Sequence, residues 1–213
     1  MRSFNTTDHF LSHIDKGLRT LLAKPNAKNS NSPADKVKNK AELSEQDKKI
    51  SARLMRVNHA GEIAAQGLYH GHMLMAKDEI IKQKFNQSAQ EEEAHLSWCE
   101  KRLNELQDRP SVFAPAWYLG SYAMGAAVGV FGDKWSLGFV SETEKQVVKH
   151  LDKHLSRLPV DDTKSREVLL QMREDEAMHD KKAQAAGAYE LPQPAKTLMT
   201  AVSKVMTKTS YWV

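Results

Sequence analysis

Two short patterns in the sequence, each a glutamate followed three residues later by a histidine, could bind metal. They are Glu92 with His95 and Glu176 with His179. Side chains three residues apart on a helix lie on the same face, so a glutamate and a histidine at this spacing can hold one ion together. A single pair is a weak indication, because charged helices carry both residues by chance. Two pairs in similar surroundings favour a metal site.

A further glutamate precedes each pair. Glu62 precedes Glu92, and Glu144 precedes Glu176, by the same distance to within two residues. The chain therefore contains two similar units, each predicted to be an antiparallel helix pair with one glutamate on its first helix and Glu-x-x-His on its second. Four-helix bundles that bind two metal ions through carboxylates have this layout, with every ligand pointing inward.

The residue types suit two divalent ions. Four carboxylates balance the charge of two such ions, and mixed oxygen and nitrogen ligands are accepted by iron and by manganese. Carboxylates can bridge two ions and leave positions free for dioxygen, and Glu92 and Glu176 are the expected bridges. The pattern assigns three ligands to each ion, namely Glu62, Glu92 and His95 to one and Glu144, Glu176 and His179 to the other. Spacing alone does not separate Glu144 from Glu142.

Other polar residues are candidates for supporting roles. Metal-bound imidazoles usually donate their second N–H to a carboxylate or carbonyl. His154 lies four residues after a histidine but has no acidic partner in phase, and we expect it on the surface. Glu91 and Glu93 have no histidine three residues on, and His70 and His72 are expected to be ordinary polar helix positions. The candidate partners of the ligands are His59, His150, Asp175 and Glu142.

Helices must position these residues, and the composition favours them. The chain has 213 residues, of which 40% are hydrophobic and only 10 are glycine and 7 proline. Periodicity predicts an all-α, ferritin-like four-helix bundle within residues 44–190, made of two antiparallel pairs joined by a long crossover. Ser44 is the expected N-cap of the first helix, and Gly187 follows the last. The predicted bundle helices are 44–76, 78–107, 133–157 and 162–186.

The crossover contains an uncharged segment, residues 110–132. It is long enough to cross a bilayer, but Pro115 and four glycines interrupt it. We expect a short apolar helix that packs on the bundle or dips into a membrane face, with a buried core helix as the alternative.

The two ends of the chain lie outside the predicted bundle. Residues 1–24 form a predicted amphipathic helix, and residues 25–43 are polar and of low complexity, which indicates a flexible linker. Residues 191–213 form a second predicted amphipathic helix, which either lies at a membrane interface or packs on the bundle.

Charge and cysteine content exclude several classes of protein. The net charge of +4 is modest and spread along the chain, which argues against a nucleic-acid face. The single cysteine, Cys99, excludes an intramolecular disulfide framework and cysteine-based zinc or iron–sulfur sites. Charged residues near the start interrupt any secretory signal, so we expect a reduced, cytoplasmic protein.

Five segments together resemble the demethoxyubiquinone hydroxylase family of ubiquinone biosynthesis. The likeness covers residues 45–213 and the amphipathic start. The segments are RVNHAGEIAAQGLYHG (56–71), EEEAHLSWCEKRLNEL (91–106), PAWYLGSYAMGAAVGVFGDK (115–134), ETEKQVVKHLDKHL (142–155) and MREDEAMHDKKAQAAGA (172–188). The resemblance implies the same six metal ligands, favours Glu144 over Glu142, and places His150 near the site.

The resemblance also implies an activity. Such enzymes are oxygen-dependent di-iron monooxygenases that hydroxylate the ring of 2-polyprenyl-3-methyl-6-methoxy-1,4-benzoquinol. Two iron ions are then expected as cofactors, dioxygen as co-substrate, and two electrons from NADH, a partner protein or the quinol itself. The chain has no G-x-G-x-x-G motif for a tightly bound dinucleotide. We expect a peripheral protein on the cytoplasmic side of the cell membrane. Contacts with other ubiquinone-biosynthesis proteins and a homo-oligomer stay open.

Three other functions compete with this interpretation. A ferritin- or rubrerythrin-like protein that oxidises or stores iron would use the same ligands, but has no need of the apolar segment 110–132. A di-iron hydroxylase of tRNA would be expected to show a basic face. A non-catalytic helical scaffold at a membrane would make the two matched spacings a coincidence.

Overall fold

The computed structural model describes residues 6–22 and 31–213, with side chains described from residue 11 onward. Within these ranges all regular structure is helical, as predicted. The α-helices are α1 (Thr6–Leu22), α2 (Glu45–Met75), α3 (Glu79–Glu105), α4 (Ala114–Gly129), α5 (Asp133–Arg157), α6 (Thr163–Ala185) and α7 (Gln193–Trp212). The four predicted bundle helices correspond to α2, α3, α5 and α6, and their ends agree to within two residues.

Polar caps define where the bundle helices begin. The side chain of Ser44 accepts a hydrogen bond from the backbone N–H of Asp47 at 3.1 Å, as the sequence predicts. Asp78 caps α3 and Asp162 caps α6 in the same way, because a helix start leaves N–H groups without backbone partners. After α6, Gly187 adopts a φ of 94°, a conformation that glycine reaches without strain.

Helices α2 and α3 form one pair, α5 and α6 form the other, and the two pairs pack together through two apolar clusters. One cluster includes Leu54, Leu103 and Leu151, and the other includes Tyr69 and Phe85. Along each helix the predicted metal ligands lie between residues of the two clusters. Buried apolar layers therefore enclose the middle of the bundle from both ends.

Helix α4 crosses from one pair to the other and packs tightly along α2. A Cβ atom added to Gly71 would meet the carbonyl oxygen of Tyr122, and one added to Gly125 would meet the carbonyl oxygen of Leu68. These glycines allow the two backbones to approach closely. The expectation of a short apolar helix packed on the bundle is thus met. Of the helices in residues 6–22 and 31–213, none has the length and apolar character needed to cross a membrane.

Residues 31–43 differ from the prediction of a flexible linker. Ser32 caps a short 3₁₀ helix, Pro33–Lys36, and Leu43 is buried. The Thr163 hydroxyl donates to the carbonyl of Lys38 at 2.6 Å, which ties the segment to the start of α6. The prediction is wrong here because bundle residues satisfy the backbone of a segment that has few apolar side chains of its own. Residues 25–30 lie outside the described part of the chain.

Each terminal helix packs on the rest of the protein through one of its faces. In α1, Leu21 packs against the cluster of Ile63 and Tyr118, while Leu11, Ile14, Leu18 and Leu22 stay exposed. Residues 1–5 and 23–24 of the predicted N-terminal helix lie outside the described residues. Helix α7 lies against α2 and α5, and the indole ring of Trp212 stacks on Arg53 with 4.3 Å from the guanidinium carbon to the ring centroid.

Candidate metal centre

The bundle brings six predicted ligands together at its centre. All of them are buried, and none exposes more than 4% of its surface. They come from four helices: Glu62 from α2, Glu92 and His95 from α3, Glu144 from α5, and Glu176 and His179 from α6. Two antiparallel pairs whose ligands stand at one level thus produce a single compact cluster.

The cluster divides into two overlapping groups of four side chains. Within each group one ligand atom from every residue lies within 4.8 Å of the others. The groups are Glu62, Glu92, His95 and Glu176, and Glu92, Glu144, Glu176 and His179. Glu92 and Glu176 belong to both, which is the arrangement that two ions bridged by these carboxylates would need.

Both imidazoles direct Nδ1 towards the two shared carboxylates. The Nδ1 atom of His95 lies 2.9 Å from Oε2 of Glu92 and 3.4 Å from Oε1 of Glu176. The Nδ1 atom of His179 lies 3.0 Å from Oε1 of Glu92 and 3.2 Å from Oε2 of Glu176. The two histidines therefore occupy equivalent positions on opposite sides of the cluster.

Outer carboxylates hold the other nitrogen of each ring. Nε2 of His95 lies 3.0 Å from Oδ2 of Asp175, and Nε2 of His179 lies 2.7 Å from Oε2 of Glu91. Such a partner fixes the tautomer that leaves Nδ1 free for a metal. Asp175 was a predicted partner, whereas Glu91 was missed. The signal was present in the sequence, because Glu91 precedes Glu92 just as Asp175 precedes Glu176.

The structure separates Glu144 from Glu142. Glu144 lies inside the cluster, where the hydroxyl of Tyr69 donates a hydrogen bond to its Oε1 atom at 2.8 Å. Glu142 instead accepts from Gln146 at 2.8 Å and faces Lys196 of α7, so its predicted support of the ligands is wrong. Sequence reasoning missed Tyr69, although it lies two helical turns after Glu62 on the same face.

Burial and neighbouring charges raise the proton affinity of two of the four carboxylates. The pKa values of Glu62 and Glu144 are raised well above the usual range, first by burial and then by the neighbouring charges of Glu92 and Glu176. Burial opposes the charged form of His179, yet hydrogen bonds to Glu176 and Glu92 raise its pKa to about 12. In the protein alone, protons must supply the positive charge that four buried carboxylates require.

The donor set fits two divalent cations. Four carboxylates balance two such ions, and the two imidazoles complete a mixed oxygen and nitrogen set that suits iron. The nearby thiol of Cys99 is buried, faces the sulfur of Met172 at 3.9 Å, and has a pKa raised well above normal by burial. It therefore stays protonated beside the cluster rather than joining it.

Among the residues whose side chains are described, four further histidines are buried, namely His59, His70, His72 and His154, and the environments predicted for His72 and His154 are wrong. His154, expected at the surface, exposes 3% of its surface, and its Nδ1 atom lies 3.0 Å from Oδ1 of Asn58. His150 packs against it with ring centroids 3.8 Å apart. His72 stacks on the ring of an α3 phenylalanine rather than occupying an ordinary polar position. His59 is buried in α2, and burial lowers its pKa to about 4.

A cavity of about 160 Å³ reaches the cluster. Its lining includes four of the six candidate ligands: Glu62, Glu92, Glu144 and Glu176. Most of the remaining wall is apolar and comes from α2, α4, α5 and α7, with Leu68, Met124, Phe139, Met199, Val202 and Met206. The cluster is thus accessible to a small, largely apolar molecule.

Comparison with known proteins agrees with this geometry. In fold, the chain is similar to a dodecameric thioferritin, the bacterioferritin-related protein of Bacteroides fragilis, with a TM-score of 0.55 and 15% identity over 67% of this chain and 85% of that one. This likeness supports the ferritin-like bundle.

Curated relatives share far more of the sequence. The 3-demethoxyubiquinol 3-hydroxylase of Nitrosococcus oceani is 48% identical over 212 residues, which cover 100% of this chain and 99% of the relative. The protein of the same name from Chromobacterium violaceum is 50% identical over 206 residues, covering 97% and 99%. The sequence model for the ubiquinone biosynthesis protein COQ7 matches residues 49–210. The chain therefore belongs to the COQ7 family of ubiquinone biosynthesis proteins.

Proposed function

We propose that this chain is an oxygen-dependent monooxygenase that hydroxylates the ring of demethoxyubiquinol, a polyprenylated methoxy-benzoquinol, in ubiquinone biosynthesis. One observation carries the proposal: the four carboxylates of a buried cluster that also holds two imidazoles line a largely apolar cavity. The chain is also 48% identical over its full length to hydroxylases named for this reaction.

The cluster is proposed to hold two iron ions, with Glu92 and Glu176 as bridging ligands. Glu62 and His95 would complete the coordination of one ion, and Glu144 and His179 would complete that of the other. Bound iron would supply the activation of dioxygen. The protein keeps the ligand atoms in place and excludes water from them.

The hydroxylation needs more than oxygen and substrate. Inserting one oxygen atom into a ring C–H bond and reducing the other to water consumes two electrons and two protons. A reductant must supply the electrons, and we propose NADH, a partner protein or the quinol itself. The identity of this donor is separate from the identity of the ring that is hydroxylated.

The cavity wall suits a prenylated ring. A benzoquinol is flat, and its apolar tail must leave through a surface without charges. Met124 of α4 and Met199 and Val202 of α7 line the cavity and would contact such a tail. Methionine side chains adapt to different apolar shapes, which suits a long flexible chain.

We propose that the outer surface near this wall contacts the membrane that contains the substrate. Around α4, Leu119, Val130 and Phe131 expose 63%, 61% and 75% of their surfaces. The exposed leucines of α1 add to this apolar area, and helix α1 packs against α2 and α4. Exposed apolar areas of this kind mark interaction sites. Peripheral binding on the cytoplasmic side of the cell membrane would bring the cavity to its substrate.

Two measurements on one preparation test the proposed function. The protein is loaded with ferrous iron without oxygen, desalted and analysed for metal, and it then receives a short-chain demethoxyubiquinol, reductant and ¹⁸O₂. We expect about two irons per chain and a product that carries one ¹⁸O atom. Glu176→Ala should lose both, whereas Glu93→Gln, at an exposed neighbour of Glu92, should keep both. Iron far above two per chain would favour storage, and iron binding without hydroxylation would contradict the proposed reaction.

A further inference from the structure

A buried polar pair lies beside the candidate ligands, at the edge of the same cavity. Asn58 stands in α2 one helical turn before Glu62 and lines the cavity with it. Asn58 exposes 4% of its surface, and His154 of α5 exposes 3%. Neither residue belongs to the groups that could hold a metal. The pair therefore needs an explanation other than metal binding.

The two hydrogen-bonding groups of the Asn58 amide differ in their partners. Its Oδ1 atom lies 3.0 Å from Nδ1 of His154. Its Nδ2 atom is buried and has no hydrogen-bond partner among the described residues. A buried donor without a partner destabilises a protein, and each such group in a native structure calls for an explanation. A hydrogen bond from this donor to a ligand in the cavity is an explanation that also accounts for the position of Asn58 in the cavity wall.

His154 fixes the direction of this amide. Burial lowers the pKa of His154 to about 2, so that the ring is neutral at physiological pH and has one N–H donor. Because Oδ1 of Asn58 can only accept, that donor must be Nδ1. The ring of His150 packs against His154 and limits its rotation. The amide is thus held by its oxygen, and its NH₂ group remains available.

We propose that the Nδ2 group of Asn58 donates a hydrogen bond to a ring oxygen of the quinol or quinone and that His154 is the positioning residue for this contact. This inference rests on the proposed function. The apolar part of the cavity wall can hold the ring but cannot fix its rotation. One hydrogen bond to a ring oxygen would select the rotation that turns the ring C–H bond towards the candidate metal ligands.

The contact also distinguishes ligands. A site built to hydrogen-bond a polar atom rejects an analogue that lacks this atom, because the donor of the protein then stays unpaired. The proposal therefore predicts a difference between two ligands of the same shape. Loss of the amide should weaken only the ligand that has ring oxygens.

The experiment measures equilibrium binding to the metal-free protein, so it does not depend on turnover. The probes are 6-methoxy-3-methyl-2-prenyl-1,4-benzoquinone and a matched arene in which hydrogens replace both ring oxygens, each titrated by calorimetry. For Asn58→Leu we expect about tenfold weaker quinone binding, in line with the loss of one hydrogen bond, and arene affinity within about twofold of the parent. His154→Phe should weaken quinone binding several-fold, because the amide loses its fixed direction.

Thr143→Val is the matched control. Thr143 also lines the cavity, but its hydroxyl already donates to the carbonyl of Phe139 at 2.9 Å. This variant should bind the quinone within about twofold of the parent. Thermal unfolding of every variant establishes that it is folded, and His154→Phe carries the test if Asn58→Leu does not fold.

The outcomes separate this inference from the function on which it rests. If the parent protein binds neither probe, the proposed substrate is contradicted. If the parent binds the quinone and the Asn58→Leu and His154→Phe variants bind it equally well, the role of Asn58 is overturned while the substrate stands. If Asn58→Leu weakens both probes equally, the side chain shapes the cavity and makes no hydrogen bond to the ring.

Discussion

The Nε2 atom of His179 in α6 lies 2.7 Å from Oε2 of Glu91 in α3, so a carboxylate of one helix pair orients an imidazole of the other. This contact keeps Nδ1 of His179 directed at the shared carboxylates of the cluster. Burial raises the pKa of Glu91, but hydrogen bonds from Lys182 and His179 lower it below its usual value, and the side chain is charged at neutral pH. A charged acceptor is the stronger orienting group.

Glu91→Gln should therefore weaken metal binding although Glu91 is not a candidate ligand. Removing partners of this kind typically lowers metal affinity about 10- to 100-fold. We expect an effect in this range for one of the two ions, measured anaerobically by competition with a ferrous-iron chelator. Glu93→Gln removes a charge at the same distance from Glu92 along the chain but at an exposed position, and should bind like the parent. If the two variants bound ferrous iron with equal affinity, Glu91 would have no role in orienting His179 for metal binding.

The contact between α2 and α4 predicts that replacing two glycines of α4 by alanine changes the free energy of unfolding in opposite directions. A Cβ atom at Gly125 would meet the backbone of α2, which cannot move aside as a side chain can. Gly125→Ala should lower the free energy of unfolding by about 1–3 kcal/mol through overpacking. Gly120 has open space at the same atom, so Gly120→Ala should raise it by up to about 1 kcal/mol through helix propensity. Urea unfolding of the metal-free protein measures both, and equal effects would contradict the close approach.

The buried ion pair at the start of α6 predicts a large loss of stability. Nη2 of Arg102 lies 2.9 Å from Oδ1 of Asp162, and the two side chains expose 4% and 0% of their surfaces. Arg102→Met leaves the Asp162 charge buried without its partner, which costs about 3–5 kcal/mol. The neighbouring pair of Lys101 and Asp35 is exposed, so Lys101→Met should cost less than about 1 kcal/mol. Chemical denaturation measures the free energy of unfolding of both variants. Similar decreases in the two would contradict the larger contribution expected of the buried pair.

The burial of His72 predicts a dependence of stability on pH. Burial lowers the pKa of His72 to about 3, whereas an unfolded chain has a histidine pKa of about 6.5. Between these values the unfolded chain binds a proton that the native protein does not, so the free energy of unfolding decreases as the pH falls below about 6.5. The contribution of this residue is about 1.4 kcal/mol per pH unit.

His72→Phe removes that contribution and preserves an aromatic ring beside Phe85. The difference between the unfolding free energies of the variant and the parent should be constant above about pH 7.5. It should then move in favour of the variant by about 1.4 kcal/mol for each pH unit between 6 and 4. Parallel stability curves over the whole range would show that the pKa of His72 in the native state equals that in the unfolded chain.

Local rules account for the features that were predicted correctly. The i, i+3 relation brings Glu92 close to His95 and Glu176 close to His179 in any helix, whatever surrounds them. Ser44 defines the start of α2 because capping depends on neighbouring residues only. The sequence distance from Glu62 to Glu92 is close to that from Glu144 to Glu176. This match was enough to predict that the ligands of all four helices lie at one level of the bundle.

Features that depend on which helices face each other were missed. Glu91 and Tyr69 each reach a ligand of the other helix pair across an interface, and their positions in their own helices do not show which partner they meet. His154 is buried because Asn58 faces it from α2, although the surrounding α5 sequence is charged. Residues 31–43 are ordered by partners at the start of α6, and polar composition could not reveal these contacts.

The crossed contacts of the two imidazoles have a consequence for how the site forms. Asp175 in the second helix pair holds His95 in the first, and Glu91 in the first holds His179 in the second. Neither hairpin alone can preorganise its own histidine, whatever its helical content. High-affinity metal uptake would therefore be a late event that reports the docking of the two halves, and a nascent chain whose second hairpin is still being synthesised would offer a metal ion only scattered, weak ligands.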